Sequence, residues 1–326
     1  MTLDLDTPWV EKYRPRSFDE IVSQNIAIKN LKEFVKSGTM PHMIFTGPAG
    51  TGKTSTALII AKELLKGEDY YQNVLELNAS DTVRMDYVRS VIKDFVNQNM
   101  IIGVKSLKIV ILDEADNIPN QVQQALRRII EKTSNQVKFI LMCNYINRII
   151  DPIISRCAVF RFVSLPKEII IEQLKYISKQ EKLKIPDKSS EDFFETLFFI
   201  SRGDLRKAIN TLQSAVALEL LENLDINEVL KITGFLDGPK LEELFEAISA
   251  KDFIRTKEIL ANTENLDSRN FIRQILEILP KLKIEQKDLI YLHDFLGEVD
   301  YRISQGADEK IQILALMAEI INRITK

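Results

Sequence analysis

The stretch Gly47-Pro48-Ala49-Gly50-Thr51-Gly52-Lys53-Thr54 reads G-x-x-x-x-G-K-T. It lies between an apolar run, Met43-Ile44-Phe45, and a helix-like run from Ser55 to Leu65. A strand, a glycine-rich turn and a helix in that order build a phosphate-binding loop. The glycines let successive backbone N–H groups converge on the α- and β-phosphates at the positive end of the helix. Lys53 adds a point charge at the β/γ-phosphates, and Thr54 a hydroxyl for Mg²⁺. Without those flanks the same string would be a turn with no ligand.

The segments downstream supply the rest of a doubly wound sheet. Asn73 to Asn78 (NVLELN) alternates as a short strand does, and the polar turn Ala79-Ser80-Asp81 can cap a helix from Thr82 to Asn97. Lys108 to Leu112 (KIVIL) and Val137 to Met142 (VKFILM) are continuous apolar runs, the mark of strands buried on both faces, with a helix between Asn120 and Lys132. Ala158 to Phe162 is a further strand. Upstream, Asp19 to Gly38 carries apolar residues at helical spacing and ends at a glycine, which predicts one amphipathic helix. Thr7 to Ser17 (TPWVEKYRPRS) is too irregular for a long helix; an arm packed by its aromatics is the plain reading.

From about Ser164 onward no strand pattern persists, and the helices break at Pro186, Gly203, Gly234, Gly238-Pro239 and Pro280. Three domains are expected: a nucleotide-binding domain over 1–163, a small helical domain over 164–224 and a terminal helical domain over 225–326. With 326 residues each can bury its own core.

Composition removes several function classes. There is no run of about 18 apolar residues to span a membrane, and the acidic start, Met1 to Pro8, has no apolar segment of a secretory signal, so a non-secreted chain is expected. Cys143 and Cys157 have neither CxxC spacing nor a neighbouring His, which argues against a disulfide framework and a zinc site. His42 and His293 are isolated and read as structural. The net charge of −3 offers no global attraction for nucleic acid, so any DNA contact must come from a local patch. Arg84, Arg89, Lys93 and Lys105, with helix N-terminal amides after Ser80, are the candidates; singly, each reads as a solvated charge. Met85, Met100 and Ile101-Ile102 suit either a core or an exposed apolar loop that touches a partner.

Asp113-Glu114 ends a buried strand. With a P-loop upstream, Asp113 holds Mg²⁺ through water and Glu114 orients and deprotonates the attacking water. Asn144, at the tip of the next strand, can hydrogen-bond the γ-phosphate or the water; alternatively it closes a turn. Arg156, in the loop Ser155-Arg156-Cys157, suits an arginine finger for a neighbouring subunit or a surface ion pair. Arg206, in Gly203-Asp204-Leu205-Arg206, starts a helix of the second domain and can reach back to phosphate, so that this domain closes as a lid.

Taken together, PWVEKYRP, GPAGTGKT, LDEAD, QQALRR at Gln123 to Arg128, CNY, SRC and GDLRKAIN resemble the AAA+ ATPases. More narrowly, they resemble the small subunits of replication factor C, the archaeal and eukaryotic sliding-clamp loaders. The motifs cover about the first two thirds of the chain; the final hundred residues match in being helical. The resemblance implies an α/β fold: a parallel P-loop AAA+ sheet domain, a small helical lid domain and an all-α C-terminal collar domain that holds a five-membered ring. It implies an ATP hydrolase with ATP and Mg²⁺ as cofactors. Val10, Tyr13 and Arg14 would lie near the adenine, with Asn144 as sensor 1, Arg206 as sensor 2 and Arg156 as the finger offered in trans. The partners implied are other clamp-loader subunits, including a large subunit, the sliding clamp, and primer-template DNA bound without sequence preference; no membrane is involved. The location implied is the nucleoid of an archaeal cytoplasm or a eukaryotic nucleus. One departure stands out. Family members usually read NASDERGID where this chain has Asn78 to Asp86, so Val83 and Arg84 stand at the usual Arg and Gly positions.

Two other functions compete. A helicase or initiator of the same class would add a winged-helix domain, for which the strand-poor C-terminal third offers no pattern. A non-hydrolysing scaffold would not need Lys53, Asp113, Glu114 and Arg156 intact.

Overall fold

Alternation within the apolar runs decides which side chain meets which face of the sheet. In the computed structural model, which describes residues 7–65, 68–79, 85–97, 107–221 and 224–324, five parallel strands form one sheet in the order β2-β3-β4-β1-β5. The strands are β1 (His42–Thr46), β2 (Val74–Asn78), β3 (Lys108–Asp113), β4 (Val137–Cys143) and β5 (Cys157–Arg161). Phe45, Ile111, Ile140 and Met142 enter one core layer with Ile28 and Leu31 of α2 (Asn25–Ser37) and Ile59 and Ile60 of α3 (Lys53–Leu64). Their neighbours Ile44, Val110, Leu112, Phe139 and Leu141 enter the opposite layer, with Ile92 of α5 (Met85–Asn97) and Leu126 and Ile130 of α6 (Asn120–Thr133). A shift of register by one residue would exchange the two layers, so the strand pairing is firmly specified.

Register also aligns the strand ends. Thr46 pairs with Cys143, Ile111 with Ile140, and Asn78 with Asp113. The residues that follow β1, β3 and β4 therefore emerge side by side at the carboxyl edge, where open α/β sheets bind ligands.

The predicted helix over Asp19–Gly38 is corrected. A 3₁₀ turn at Phe18–Glu20 is followed by an extended break, and α2 begins only at Asn25. Ser23 has a φ of 69°, and the Gln24 amide bonds both the N–H and the C=O of Val163. That tether to a distant segment overrides the local helical pattern. The predicted stop holds: Gly38 is the left-handed cap, φ 66°. The arm carries one helical turn, α1 (Trp9–Lys12), with Trp9 fully buried. The expected helix start at Ser80 to Thr82 lies outside the described residues.

The described residues divide into two compact units, Met1–Leu183 with Leu197–Gln213, and Lys184–Thr196 with Ser214–Lys326. The first contains the sheet, α4 (Glu68–Asn73), α7 (Asp151–Ile154), α8 (Lys167–Gln180), the end of α9 (Asp187–Ser201) and most of α10 (Leu205–Ala217). The second is helical, with a core that includes Leu244, Ile248, Phe271, Ile275, Leu296, Leu316 and Ile320. Five of its helices start on an aspartate whose carboxylate accepts a backbone N–H of the first turn: Asp225, Asp237, Asp252, Asp267 and Asp308. Each satisfies an N–H that the helix itself cannot.

His42 is structural, as expected. Its Nδ1 accepts the Phe139 N–H at 3.2 Å, which requires the neutral ring. Burial, reinforced by Lys138, depresses its pKa from 6.5 to about 4. A histidine that stays neutral when folded but protonates when unfolded makes stability rise with pH across that interval. Stability should therefore be undiminished by His42 above pH 6.5 and should fall by ~3 kcal/mol as pH drops to 4. Urea unfolding at pH 7.5 and 4.5 checks this: His42→Gln should lose less stability between the two pH values than the unsubstituted chain, and an equal loss would contradict the assignment.

Candidate nucleotide-binding site

The P-loop owes its course to two glycines that no larger residue could replace. Gly47 has a φ of 149°, and a Cβ there would fall 2.1 Å from the Phe162 carbonyl oxygen. Gly50 has a φ of 69°, and a Cβ there would fall 1.8 Å from Asp204 Oδ1 and 3.0 Å from Asp204 Cα. Loop and Asp204 thus touch directly. The same Oδ1 accepts the Lys207 N–H in the first turn of α10, the helix that presents Arg206.

Lys53 begins α3 and is buried, 8% exposed. Its ammonium donates to the carbonyls of Gly47 (2.7 Å) and Pro48 (2.8 Å) and to Asn144 Oδ1 (3.2 Å). Burial pulls its pKa below the usual lysine range, against the opposing pull of Asp113. Thr54 Oγ1 donates to Asp113 Oδ2 at 2.9 Å, while Asp113 Oδ1 accepts the Glu114 N–H at 2.8 Å. Glu114 occupies the left-handed region, φ 53°, a backbone cost of order 1 kcal/mol for a non-glycine residue. Its Oε2 accepts from Asn117 Nδ2 at 3.1 Å.

A single cleft within the first unit is lined by Val10, Tyr13, Arg14, Ala49 to Ser55, Asp113, Glu114, Asn144 and Arg206. The expected residues Val10, Tyr13, Arg14, Ala49, Gly50, Thr51, Gly52, Lys53, Thr54, Asp113, Glu114, Asn144 and Arg206 are therefore brought together. Gly47 and Pro48 do not line it; they contribute the carbonyls that hold Lys53. Arg156 does not line it either. Its guanidinium pairs with Glu131 at 2.7 Å and donates to the Pro152 carbonyl at 2.7 Å.

Several contributors escaped the sequence reading. Ile21 and Val22, in the break before α2, and Leu165 and Ile209 add apolar wall to the cleft. Asp116 Oδ2 accepts the N–H groups of both Asn144 and Tyr145 at 3.1 Å, fixing the tip of β4. Gln123, 1% exposed, donates to the Ile118 and Arg148 carbonyls and accepts the Ile150 N–H, tying the turn after β3 to the segment that leads to Arg156. Asp116 lies within LDEAD and Gln123 within QQALRR; only their partners were illegible in the sequence. Of the DNA candidates, Arg84, Lys105 and the amides after Ser80 lie outside the described residues, as does the Arg89 side chain; Lys93 is exposed on α5. The Met85 side chain, Met100 and Ile101-Ile102 also lie outside them.

A glycine loop after β1, an acid pair after β3 and a polar tip after β4, at one edge of a parallel sheet, define a P-loop ATPase of the AAA+ class. The family "ATPase family associated with various cellular activities (AAA)" matches residues 43–165, the RCF1/5-like AAA+ ATPase lid domain 172–217, and the replication factor C C-terminal domain 239–319. The chain is 42% identical over 315 residues to replication factor C small subunit 1 of Pyrobaculum islandicum, covering 96% of this chain and 93% of that one. It is 43% identical over 318 residues to the replication factor C small subunit of Thermofilum pendens (96% and 95%), and 42% over 313 residues to that of Archaeoglobus fulgidus (95% and 96%). The chain belongs to the replication factor C small-subunit family and is an ATPase subunit of a clamp loader. Among solved structures, the RuvB Holliday junction branch migration motor of Thermotoga maritima superposes with a TM-score of 0.53 at 20% identity, over 84% of this chain and 92% of that one. That likeness shows the shared fold alone, and the helicase or initiator alternative is not favoured.

Asp116 generates a test. Asp116→Ala frees the backbone at Asn144 while leaving Lys53 and the loop amides in place. ATP affinity should stay within about threefold, and turnover should fall about 10- to 100-fold, the scale of misplacing one preorganised polar group. Titration calorimetry with steady-state hydrolysis separates the two; unchanged turnover would remove Asp116 from this role.

Proposed function

We propose that this chain couples ATP binding and hydrolysis to placing a sliding clamp on primer-template DNA, as one of several subunits in a ring. The α- and β-phosphates occupy the nest of Gly47 to Thr54, Lys53 moves from its carbonyl acceptors to the β/γ-phosphates, and Val10, Tyr13 and Arg14 flank the adenine. Thr54 and Asp113, already hydrogen-bonded through oxygens, form a hard-oxygen donor pair suited to Mg²⁺. Among the described residues no cluster of three or more His, Cys, Asp or Glu competes for a metal. The bound Mg²⁺ would neutralise phosphate charge. Glu114 orients and deprotonates the attacking water, Asn144 holds the γ-phosphate or that water, and Arg206 reports on the phosphates from α10.

The observation that carries the ring reading is the place of Arg156. It stands off its own cleft, paired with Glu131 and the Pro152 carbonyl, so that exchanging Glu131 for a neighbour's γ-phosphate would bring it to a site other than its own. The proposed boundaries are 1–163 for the ATPase domain, 164–224 for the lid and 225–326 for the collar. DNA would be held by its backbone, sequence-independently and with steep salt dependence, since the net charge of −3 leaves only a patch aligned by assembly to attract it. Among the described residues no helix is long and apolar enough to cross a membrane. The proposed location is the nucleoid in an archaeal cell or the nucleus in a eukaryotic one.

Mixed assemblies test the finger. Arg156→Ala alone should assemble and bind ATP yet lose stimulated hydrolysis, by about 10³- to 10⁵-fold at a site that depends on it. Mixing Arg156→Ala with Glu114→Gln chains creates interfaces that pair an intact Glu114 with a neighbour's intact Arg156, and activity should return. A mixture as inactive as its parents would mean a finger acting in cis.

A further inference from the structure

The N-terminal arm is fastened at two points to helices next to the cleft it lines. Trp9, fully buried, donates its backbone N–H to Gln213 Oε1 of α10 at 2.9 Å. One turn later the Tyr13 hydroxyl donates to Glu181 Oε1, and Lys12 Nζ pairs with the same oxygen at 2.7 Å. The Tyr13 ring stands edge-on to Tyr176 of α8, centroids 6.3 Å apart. Around these two fastenings the arm presents Val10, Tyr13 and Arg14 to the cleft, and α10 presents Arg206 and Ile209, the latter one turn before Gln213.

Glu181 is an expensive residue in its position. It caps the C-terminus of α8, where the helix dipole disfavours an anion, and its side chain is only 6% exposed. A buried carboxylate survives only when paired and hydrogen-bonded, and here both donors come from the arm. Burial first, then the bond to Glu181, raises the Tyr13 pKa, so the phenol stays a neutral donor. Glu181 does not line the cleft itself.

We infer that Glu181 is a positioning residue for the nucleotide: by holding Tyr13 and Lys12 it fixes the cleft wall that the arm contributes. The inference rests on the reading of this cleft as the ATP site. The clasp acts through the arm rather than the phosphates, so its loss weakens ATP and ADP equally. Losing Lys53, by contrast, falls on the phosphates.

Titration calorimetry on the full chain, with thermal melting as the control for folding, tests it. Glu181→Ala should weaken ATP and ADP about tenfold each, the scale of one hydrogen bond to a charged group, while turnover at saturating ATP stays within twofold. Glu181→Gln, which can still accept from Tyr13, should recover most of the affinity. Tyr13→Phe should lose a similar factor, and the double variant Tyr13→Phe with Glu181→Ala should be no weaker than the worse single one. An affinity within twofold of the unsubstituted chain in Glu181→Ala, or losses that add in full, overturns the clasp. If Glu181→Ala does not fold, Tyr13→Phe decides: unchanged affinity there overturns it equally. An unsubstituted chain that binds no ATP overturns the nucleotide reading itself, whereas one that binds normally while Glu181→Ala matches it overturns the clasp alone.

Discussion

A buried ammonium must be surrounded by acceptors, and Lys53 sets that requirement at the centre of the cleft. The need is met by the Gly47 and Pro48 carbonyls and by Asn144 Oδ1. Those acceptors belong to the loop after β1 and the tip after β4, which the parallel pairing of Thr46 with Cys143 places side by side. Desolvation lowers the lysine pKa, and a phosphate brings the compensating charge that neutral carbonyls lack. In the proposed reading the sheet, the glycines and the acid pair keep that one cation poised for an anion.

Around that cation, two shells of contacts fix the parts that must not move. Asp113 binds Thr54 through one oxygen and the Glu114 N–H through the other, so one carboxylate orients both a hydroxyl and the neighbouring acid. Asp116 pins two consecutive amides at the tip of β4. Gln123 links the turn after β3 to the segment leading toward Arg156, with every polar atom of its buried amide engaged as a donor or acceptor. Preorganised dipoles of this kind do not have to reorient during reaction, which is what makes them effective.

Much of this was legible in the sequence because it is local. The P-loop string, the acids ending KIVIL and the strand runs announce themselves by spacing, and β1, β3 and β4 form within a residue or so of their expected bounds. What was illegible depends on partners far along the chain. The helix predicted over Asp19–Gly38 breaks because Gln24 is held by Val163, 139 positions away. Glu181 is 168 positions from Tyr13, and no periodicity in either segment connects them. Asp116 differs: it sits inside LDEAD, but only the β3–β4 register shows that it faces the amides after β4 rather than solvent.

We propose that ground-state binding of the phosphates and activation of water are carried by different side chains of one cleft, Lys53 for the first and Glu114 for the second. Comparing ATP affinity and single-turnover hydrolysis in Lys53→Ala and Glu114→Gln addresses it most directly. Lys53→Ala should lose useful ATP binding, whereas Glu114→Gln should bind ATP like the unsubstituted chain but fail to turn it over. Equal losses of nucleotide affinity in the two variants would contradict it.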